Sequence, residues 1–222
     1  TPTLDFYNHS AKFTGDKTIE VNGEKLRGNK IIIAVGGRPL IPDIPGINTV
    51  KYLTNENILS LDKVPRSIAI LGGGYIGMEF AHFFHSLGSK VIVIEPLPKT
   101  LANLEPALCD RFNEFVSSQM EIHTATKPVQ IIPVGNQKKI ICAQDGKKFD
   151  IHADEILIAV GRTINTDSLA CSKTGVATDK RGFIMVDNYF QTANPDIWAI
   201  GDCIGTPAFK HIANYQTDIL IK

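Results

Sequence analysis

The chain has 222 residues, of which 43% are hydrophobic and 21% are charged, as expected for a soluble globular protein of one large or two small domains. Its 23 lysine and arginine residues balance its 23 aspartate and glutamate residues, so the charge gives no reason to expect a nucleic-acid or anionic-membrane partner. No apolar run approaches the roughly 20 residues that span a bilayer, and no signal-like segment is expected at Thr1, so we expect a cytoplasmic protein.

The chain begins with segments that predict short strands followed by a connector. Asn22-Gly23 favours a two-residue hairpin turn between strands at residues 19–21 and 24–26. The apolar run over residues 31–35 predicts a strand that is covered on both faces, and it ends at Gly36-Gly37-Arg38-Pro39. Closely spaced prolines over residues 39–45 indicate a connector between folding units.

The stretch over residues 67–79 organises the rest of the chain. An apolar run predicts a strand, clustered glycines predict a tight turn, and helical spacing then continues to about Leu87. Gly72, Gly74 and Gly77 fit the pattern G-x-G-x-x-G, in which backbone N–H groups at the start of a helix face a diphosphate. The alternative is that these glycines serve only a tight strand-to-helix turn.

A second predicted strand, Lys90–Ile94, ends in Glu95. In dinucleotide-binding folds an acid about 20 residues after the glycines accepts hydrogen bonds from the hydroxyls of the adenine ribose. A 2′-phosphate on that ribose would lie against the carboxylate, with only Lys99 nearby and no arginine in the following loop. The sequence therefore favours NAD over NADP.

The remaining predicted elements alternate between helices and strands. They are a short helix at 55–61; a helix over 105–120 with Leu108, Phe112, Phe115 and Val116 on one face; a third parallel strand at 122–124; a three-stranded antiparallel meander over 127–151; buried strands at 155–160 and 197–200; a strand candidate at 182–186; and a last helix from His211 to Lys222.

Several reactive side chains have simpler interpretations. Glu79, His82 and His85 follow one another by three residues on one helix, but Glu79 and His85 lie about 120° apart around it, so no metal site is expected there. By the same count Phe80, Phe83, Phe84 and Leu87 are predicted to face the core, and Trp198 is expected to pack within a strand. The isolated cysteines Cys109, Cys142, Cys171 and Cys203 form no C-x-x-C pair and are expected to be buried and reduced.

Four motifs together resemble those of the flavin-dependent pyridine nucleotide-disulfide oxidoreductases. Within this family they are most similar to the branch that contains dihydrolipoamide dehydrogenase, mercuric reductase and glutathione reductase. The motifs stand at residues 31–39, 72–79, 158–162 and 199–202. The resemblance covers nearly the whole chain. It implies an α/β fold with a Rossmann-like NAD-binding domain that includes the antiparallel meander and is inserted in part of an FAD-binding domain, with residues 45–161 assigned to NAD and residues 1–44 and 162–222 to FAD.

The resemblance also assigns roles to individual residues. It implies NAD and FAD as cofactors and no catalytic residue or metal ligand in this chain. For NAD it implies contacts from Gly72, Gly73, Gly74, Tyr75, Ile76, Gly77, Glu79, Glu95, Val129 and Gly161, with Glu79 near the nicotinamide and flavin rings. For FAD it implies Gly36, Asp202 at the ribitol, and Phe209, Lys210 and His211 at the start of a helix that faces the flavin. From the residues alone, an alternative remains for each acid: Glu79 as an acid stabilised by its helix dipole, and Asp202 as a helix N-cap or turn residue.

The redox-active cysteine pair, the first FAD glycine motif and the His/Glu pair of such enzymes are not found in this sequence, so we expect the central portion of a longer, homodimeric enzyme. The first functional hypothesis is hydride transfer between NAD and FAD, which would then serve a small-molecule disulfide or similar acceptor. The second is an isolated NAD-binding module without turnover.

Overall fold

The protein is described by a computed structural model over residues 4–221. Thr1 and the predicted helix end at Lys222 lie outside these residues. The fold is α/β, with three helices and fourteen strands within the described range. The strands are β1 (Ala11–Gly15), β2 (Thr18–Val21), β3 (Glu24–Arg27), β4 (Ile31–Ile33), β5 (Gly37–Pro39), β6 (Ser67–Leu71), β7 (Lys90–Ile94), β8 (Glu121–His123), β9 (Lys127–Val134), β10 (Gln137–Gln144), β11 (Lys147–Ala153), β12 (Glu155–Ile158), β13 (Arg162–Ile164) and β14 (Ile197–Ala199). The helices are α1 (Tyr75–Ser86), α2 (Pro106–Ser117) and α3 (Lys210–Ile221).

The chain divides into two compact units. One consists of residues Pro39–Arg162 and is called the central unit, and the other consists of Thr1–Arg38 together with Thr163–Lys222 and is called the split unit. Each unit has its own hydrophobic core.

A four-stranded parallel sheet with the order β12-β6-β7-β8 forms the middle of the central unit. Its strands are apolar without alternation because both faces are covered. On one face Leu71, Ile94 and their neighbours pack against the antiparallel sheet β11-β10-β9, and on the other face Ile70 and Val93 pack against α1 and α2. The three antiparallel strands expected over residues 127–151 are present.

The helix faces differ from the prediction. On α2, Leu108 and Phe115 are 57% and 65% exposed, whereas Cys109 and Val116 are buried. Phe112 and Val116 pack against the core as predicted. The rest of the inward face is formed by the small Cys109 and the polar Asn113, which contact the preceding loop, and not by Leu108 and Phe115.

The same correction applies to α1. Phe84 is buried and Phe80 packs against the core, but Phe83 and Leu87 are 44% and 49% exposed. Phe83 instead meets Phe84 edge to face at a centroid distance of 5.2 Å. Leu87 is the C-cap that follows the last residue of α1, and together with Phe83 it borders an open groove whose other side is formed by residues 58–64.

The split unit contains the antiparallel sheet β1-β2-β3 and the parallel pair of β14 and β4. Its core includes Phe13, Ile33 and Ile197. The strand predicted at 182–186 is absent, and only an isolated bridge joins Thr178 to Ile184. The Asp179 carboxylate accepts the N–H groups of residues 181 and 183, which bends this segment into a turn.

Candidate functional site

The glycine-rich turn lies at the carboxyl end of β6, where that strand stands between β7 and β12. Gly72 has φ +107°, and a Cβ on it would overlap the carbonyl oxygen of Ala159. A Cβ on Gly77 would overlap the carbonyl oxygen of Gly72. The fold itself therefore requires glycine at positions 72 and 77, as tight turning and close helix–strand packing demand.

Gly74 has no such requirement. It is exposed, its φ of −77° and ψ of −172° suit any residue, and a Cβ on it would meet nothing within 4 Å. Gly74 is also the N-cap of α1, and no side chain caps the helix there. The start of α1 thus presents backbone N–H groups beside open space, an arrangement that suits an anion.

Glu95 lies directly against the turn and is 8% exposed. Its Oε2 accepts the N–H of Gly73 at 2.6 Å, and its Oε1 accepts the N–H of Leu97 at 2.8 Å. A carboxylate has about four acceptor positions, so each oxygen keeps one for a further donor. The sequence pattern predicted an acid near the glycines, but it did not include this direct bond to the turn.

The loop after Glu95 carries a cation that is already paired. Lys99 forms an ion pair with Asp110 of α2, and this pairing raises the pKa of Lys99 through the hydrogen bond. The Lys99 charge is therefore shared with an acid of its own chain.

The other residues expected at NAD are distributed around the same unit. Tyr75 is 45% exposed at the start of α1, and Ile76 is half-buried. Glu79 is exposed and is the fifth residue of α1, beyond the first turn, so the helix dipole does not explain an acid at this position.

Two backbone positions have unusual geometry. Gln130 pairs with Ile141 and Pro128 pairs with Cys142, so Val129 is the extra residue of a β-bulge in β9. Gly161 follows β12, has φ +144°, and its carbonyl accepts the N–H of Leu40 at 3.0 Å. A bulge releases backbone groups from the ladder, which suits contact with a ligand through the main chain.

In the split unit, two of the expected residues follow the same edge of a parallel strand pair. The strands β4 and β14 are parallel, so Gly36 and Asp202 both follow carboxyl ends. The N–H of Ile200 donates to the carbonyl of Ile33 at 3.0 Å and holds these ends together. Asp202 lies within a 3-10 helix, Gly201–Ile204, whose N-cap is Ile200, so Asp202 is not itself the cap.

Helix α3 is fixed to the same edge. The buried Gln216 accepts the N–H of Gly201 at 2.7 Å. At the start of α3 the rings of Phe209 and His211 stack at 5.4 Å, and Lys210 between them is exposed. Gly201, the neighbour of Asp202, is thus bound to the middle of α3.

The cysteines and histidines add no further site. All four thiols are free and buried as expected, and burial followed by the charge of Asp150 raises the pKa of Cys142 to about 12. Across residues 4–221, no three His, Cys, Asp or Glu side chains are grouped as metal ligands. The same range contains no helix with the length and hydropathy needed to cross a bilayer.

The sequence analysis did not predict the contacts by which the loop after Glu95 packs against the glycine-rich turn. The methyl group of Thr100 lies 2.6 Å from the position of a Cβ on Gly73, and Thr100 is bound by Asn113 of α2. No spacing rule links these residues, because the loop that joins them has no repeating pattern. Only the turn signals after Glu95 indicate that a loop lies there.

Comparisons with known proteins identify the family of the chain. The family described as "Pyridine nucleotide-disulphide oxidoreductase" matches residues 1–217. The chain is 34% identical over 218 residues to a mercuric reductase of Staphylococcus aureus, with 98% of this chain and 40% of that protein covered. It is 34% identical over 216 residues to a dihydrolipoyl dehydrogenase of Vibrio cholerae, with 94% of this chain and 45% of that protein covered.

A solved structure has a similar fold. The Cu(II) complex of the HOCl-induced flavoprotein disulfide reductase RclA from Escherichia coli superposes with a TM-score of 0.90 at 31% identity, and the match covers 99% of this chain and 50% of that one. The chain thus spans half or less of the length of these relatives. With a glycine-rich turn, an acid beside it and a family match over almost every residue, the chain belongs to the pyridine nucleotide-disulfide oxidoreductases.

Proposed function

We propose that this chain is the NAD- and FAD-binding central portion of a flavin-dependent disulfide oxidoreductase, most like dihydrolipoamide dehydrogenase. Members of the family use FAD and a nicotinamide nucleotide. In this proposal residues 45–161 form a Rossmann-like NAD-binding domain inserted in an FAD-binding domain made of residues 1–44 and 162–222. The observation that carries the proposal is Gly74, a glycine that the fold does not need, beside an uncapped helix start.

The residues of the central unit fit a dinucleotide. The N–H groups at the start of α1 donate to the diphosphate, and the missing Cβ of Gly74 lets the phosphates approach the backbone. Glu95 accepts hydrogen bonds from ribose hydroxyls with the positions that Gly73 and Leu97 leave open. Val129 and Gly161 contribute backbone groups.

The nucleotide is NAD rather than NADP. A 2′-phosphate would face the Glu95 carboxylate at short range, and like charges that close repel strongly. The nearby Lys99 offers little compensation because Asp110 already pairs with it.

The split unit fits part of a flavin nucleotide. Asp202 accepts hydrogen bonds from ribitol hydroxyls, Gly36 allows close approach at the neighbouring strand end, and residues Phe209, Lys210 and His211 set the start of α3 toward the flavin. The positive end of a helix stabilises a negative charge that lies close to it. In this proposal Glu79 lies near the nicotinamide and flavin rings.

Together NAD and FAD supply hydride transfer between the nicotinamide and the flavin, and the protein supplies binding, orientation and charge. The acceptor is a small-molecule disulfide or a similar group, of the kind used by a dihydrolipoamide dehydrogenase or a mercuric or glutathione-type reductase. The longer enzyme is a homodimer in this proposal.

A second candidate is an NAD-binding module without turnover. The chain spans 40% of the Staphylococcus aureus mercuric reductase and 50% of the RclA chain, and a segment of that extent can bind NAD without turnover. Absorbance and thermal unfolding separate the two candidates for this chain. If the purified chain absorbs blue light as a flavoprotein and is stabilised by NAD, the first holds; if it is colourless but stabilised by NAD, the second does.

The expected stabilisation is large enough to measure. At 100 times its Kd, NAD adds about 2.7 kcal/mol to the free energy of unfolding, which raises Tm by roughly 5–10 °C for a chain of this length. A folded chain that shows no shift with millimolar NAD contradicts both candidates.

A further inference from the structure

One side chain of α2 controls the loop that supports the glycine turn. The Oδ1 atom of Asn113 accepts the N–H and the hydroxyl of Thr100, both at 2.9 Å. Its Nδ2 atom donates to the carbonyl of Thr100 at 2.9 Å and to that of Cys109 at 2.8 Å. A primary amide has two donors and two acceptor positions, so all the hydrogen-bonding positions of the Asn113 side chain are occupied by groups of its own chain.

The next residue of the loop is held in a strained conformation. Leu101 has φ +49°, in the left-handed region that costs a side chain such as leucine of order 1 kcal/mol. Its N–H donates to the carbonyl of Gly73 at 2.8 Å. Such strain persists where the surroundings enforce it, and here Asn113 fixes the preceding residue.

These contacts fix the orientation of the two peptide units on either side of the Gly73 Cα. The N–H of Gly73 donates to Glu95, its carbonyl accepts from Leu101, and the methyl group of Thr100 fills the space where a side chain of residue 73 would stand. In a planar trans peptide the carbonyl and the following N–H point in opposite directions. The N–H of Gly74 therefore points away from the loop.

We infer that Asn113 is a positioning residue for nucleotide binding, which acts through Thr100 and Leu101 to aim the N–H of Gly74 at the diphosphate. The inference rests on the proposed function, because it assumes that a diphosphate lies at the turn. Asn113 has no free polar capacity for the nucleotide itself, so its effect is transmitted through the loop.

The test compares Asn113→Ala with Asn57→Ala in the full 222-residue chain. Asn57 makes a similar local hydrogen bond, from the N–H of Thr54 to its Oδ1 at 2.8 Å, in the same unit. Calorimetric and NMR titrations give the Kd for NAD and for adenosine, which lacks phosphates. We expect Asn113→Ala to weaken NAD about tenfold, the value of roughly one misaligned hydrogen bond to a charged group, and to leave adenosine unchanged. Asn57→Ala should leave both unchanged.

A spectroscopic readout accompanies the titration. In the ligand-free ¹⁵N-labelled chain, the amide resonance of Gly74 should move in Asn113→Ala and stay in place in Asn57→Ala. A folded Asn113→Ala protein that keeps the wild-type affinity for NAD, that loses NAD and adenosine affinity by the same factor, or that keeps the Gly74 resonance in place overturns the inference. If wild type binds no NAD, the proposed function is what fails.

A second variant covers the case in which Asn113→Ala does not fold. Thr100→Ala removes both the methyl group on Gly73 and the hydroxyl held by Asn113. It should weaken NAD about fivefold with no change for adenosine, and an unchanged NAD affinity in that variant contradicts the inference equally.

Discussion

Replacing Gly74 with alanine tests whether the open space at the turn belongs to a ligand. In the fold the new methyl group meets nothing within 4 Å, and the backbone conformation is ordinary for alanine. Alanine is a poorer N-cap than glycine by about 0.5 kcal/mol. It also lowers the conformational entropy of the unfolded chain, which stabilises the folded state by a similar amount. The free energy of unfolding should therefore change by less than about 0.5 kcal/mol, or about 2 °C in Tm.

The effect on binding should be much larger. A methyl group at residue 74 occupies the space through which the phosphates reach the start of α1, so at least one hydrogen bond to a charged group is lost. Such a bond contributes about 1.5–3 kcal/mol, which corresponds to a loss of roughly ten- to a hundredfold in affinity for NAD.

The assay pairs thermal unfolding without ligand with calorimetric titration of NAD. Gly77→Ala is the matched control, because its methyl group would overlap the carbonyl oxygen of Gly72 and should lower the free energy of unfolding by about 2–3 kcal/mol. A Gly74→Ala protein that binds NAD as tightly as wild type refutes the reasoning, since the diphosphate would then lie elsewhere. So does a strongly destabilised one, since the space would then not be open.

Three further predictions concern other residues. Glu95→Gln should lower the free energy of unfolding by about 1–2 kcal/mol, through weaker bonds to the turn, and should also narrow the preference for NADH over NADPH in competitive titrations; an unchanged preference contradicts the ribose assignment. The thiol of Cys142, with a pKa of about 12, should stay unmodified by a disulfide reagent at about pH 8 until the chain is unfolded in denaturant, as seen by mass spectrometry of digested samples. Val116→Ala should lower the free energy of unfolding in urea by about 2 kcal/mol, whereas Phe115→Ser should change it by less than about 0.5 kcal/mol, and a Phe115→Ser protein destabilised as much as Val116→Ala would contradict the exposed position of Phe115.

The parallel sheet was predictable because its strands are buried on both faces. The β7 strand has the predicted bounds, Lys90–Ile94, since a continuous apolar run between a glycine break and an acid has few alternatives. The start of α1 at Tyr75 follows from the glycine cluster in the same way. Local chemistry determines these elements, so the sequence is sufficient to locate them.

The helix faces and the turn support were not predictable by the same means. Periodicity counts large apolar residues, and it therefore favoured Leu108 and Phe115 over the smaller Cys109 and the polar Asn113 that α2 turns inward. Whether Asn113 faces a loop or solvent depends on where that loop runs, which is a tertiary property. The bond from Gly73 to Glu95 depends in turn on the register of β6 and β7.

The three glycines that fit the G-x-G-x-x-G pattern are subject to two separate evolutionary pressures. Overlap with backbone carbonyls retains Gly72 and Gly77 in any lineage that keeps this scaffold, whatever it binds. Position 74 has no such constraint from the scaffold, so a lineage that abandoned its dinucleotide should drift there first, to alanine or serine, while the other two persist. Among sequences otherwise alike, that single change would mark the members that have kept the architecture and lost the coenzyme.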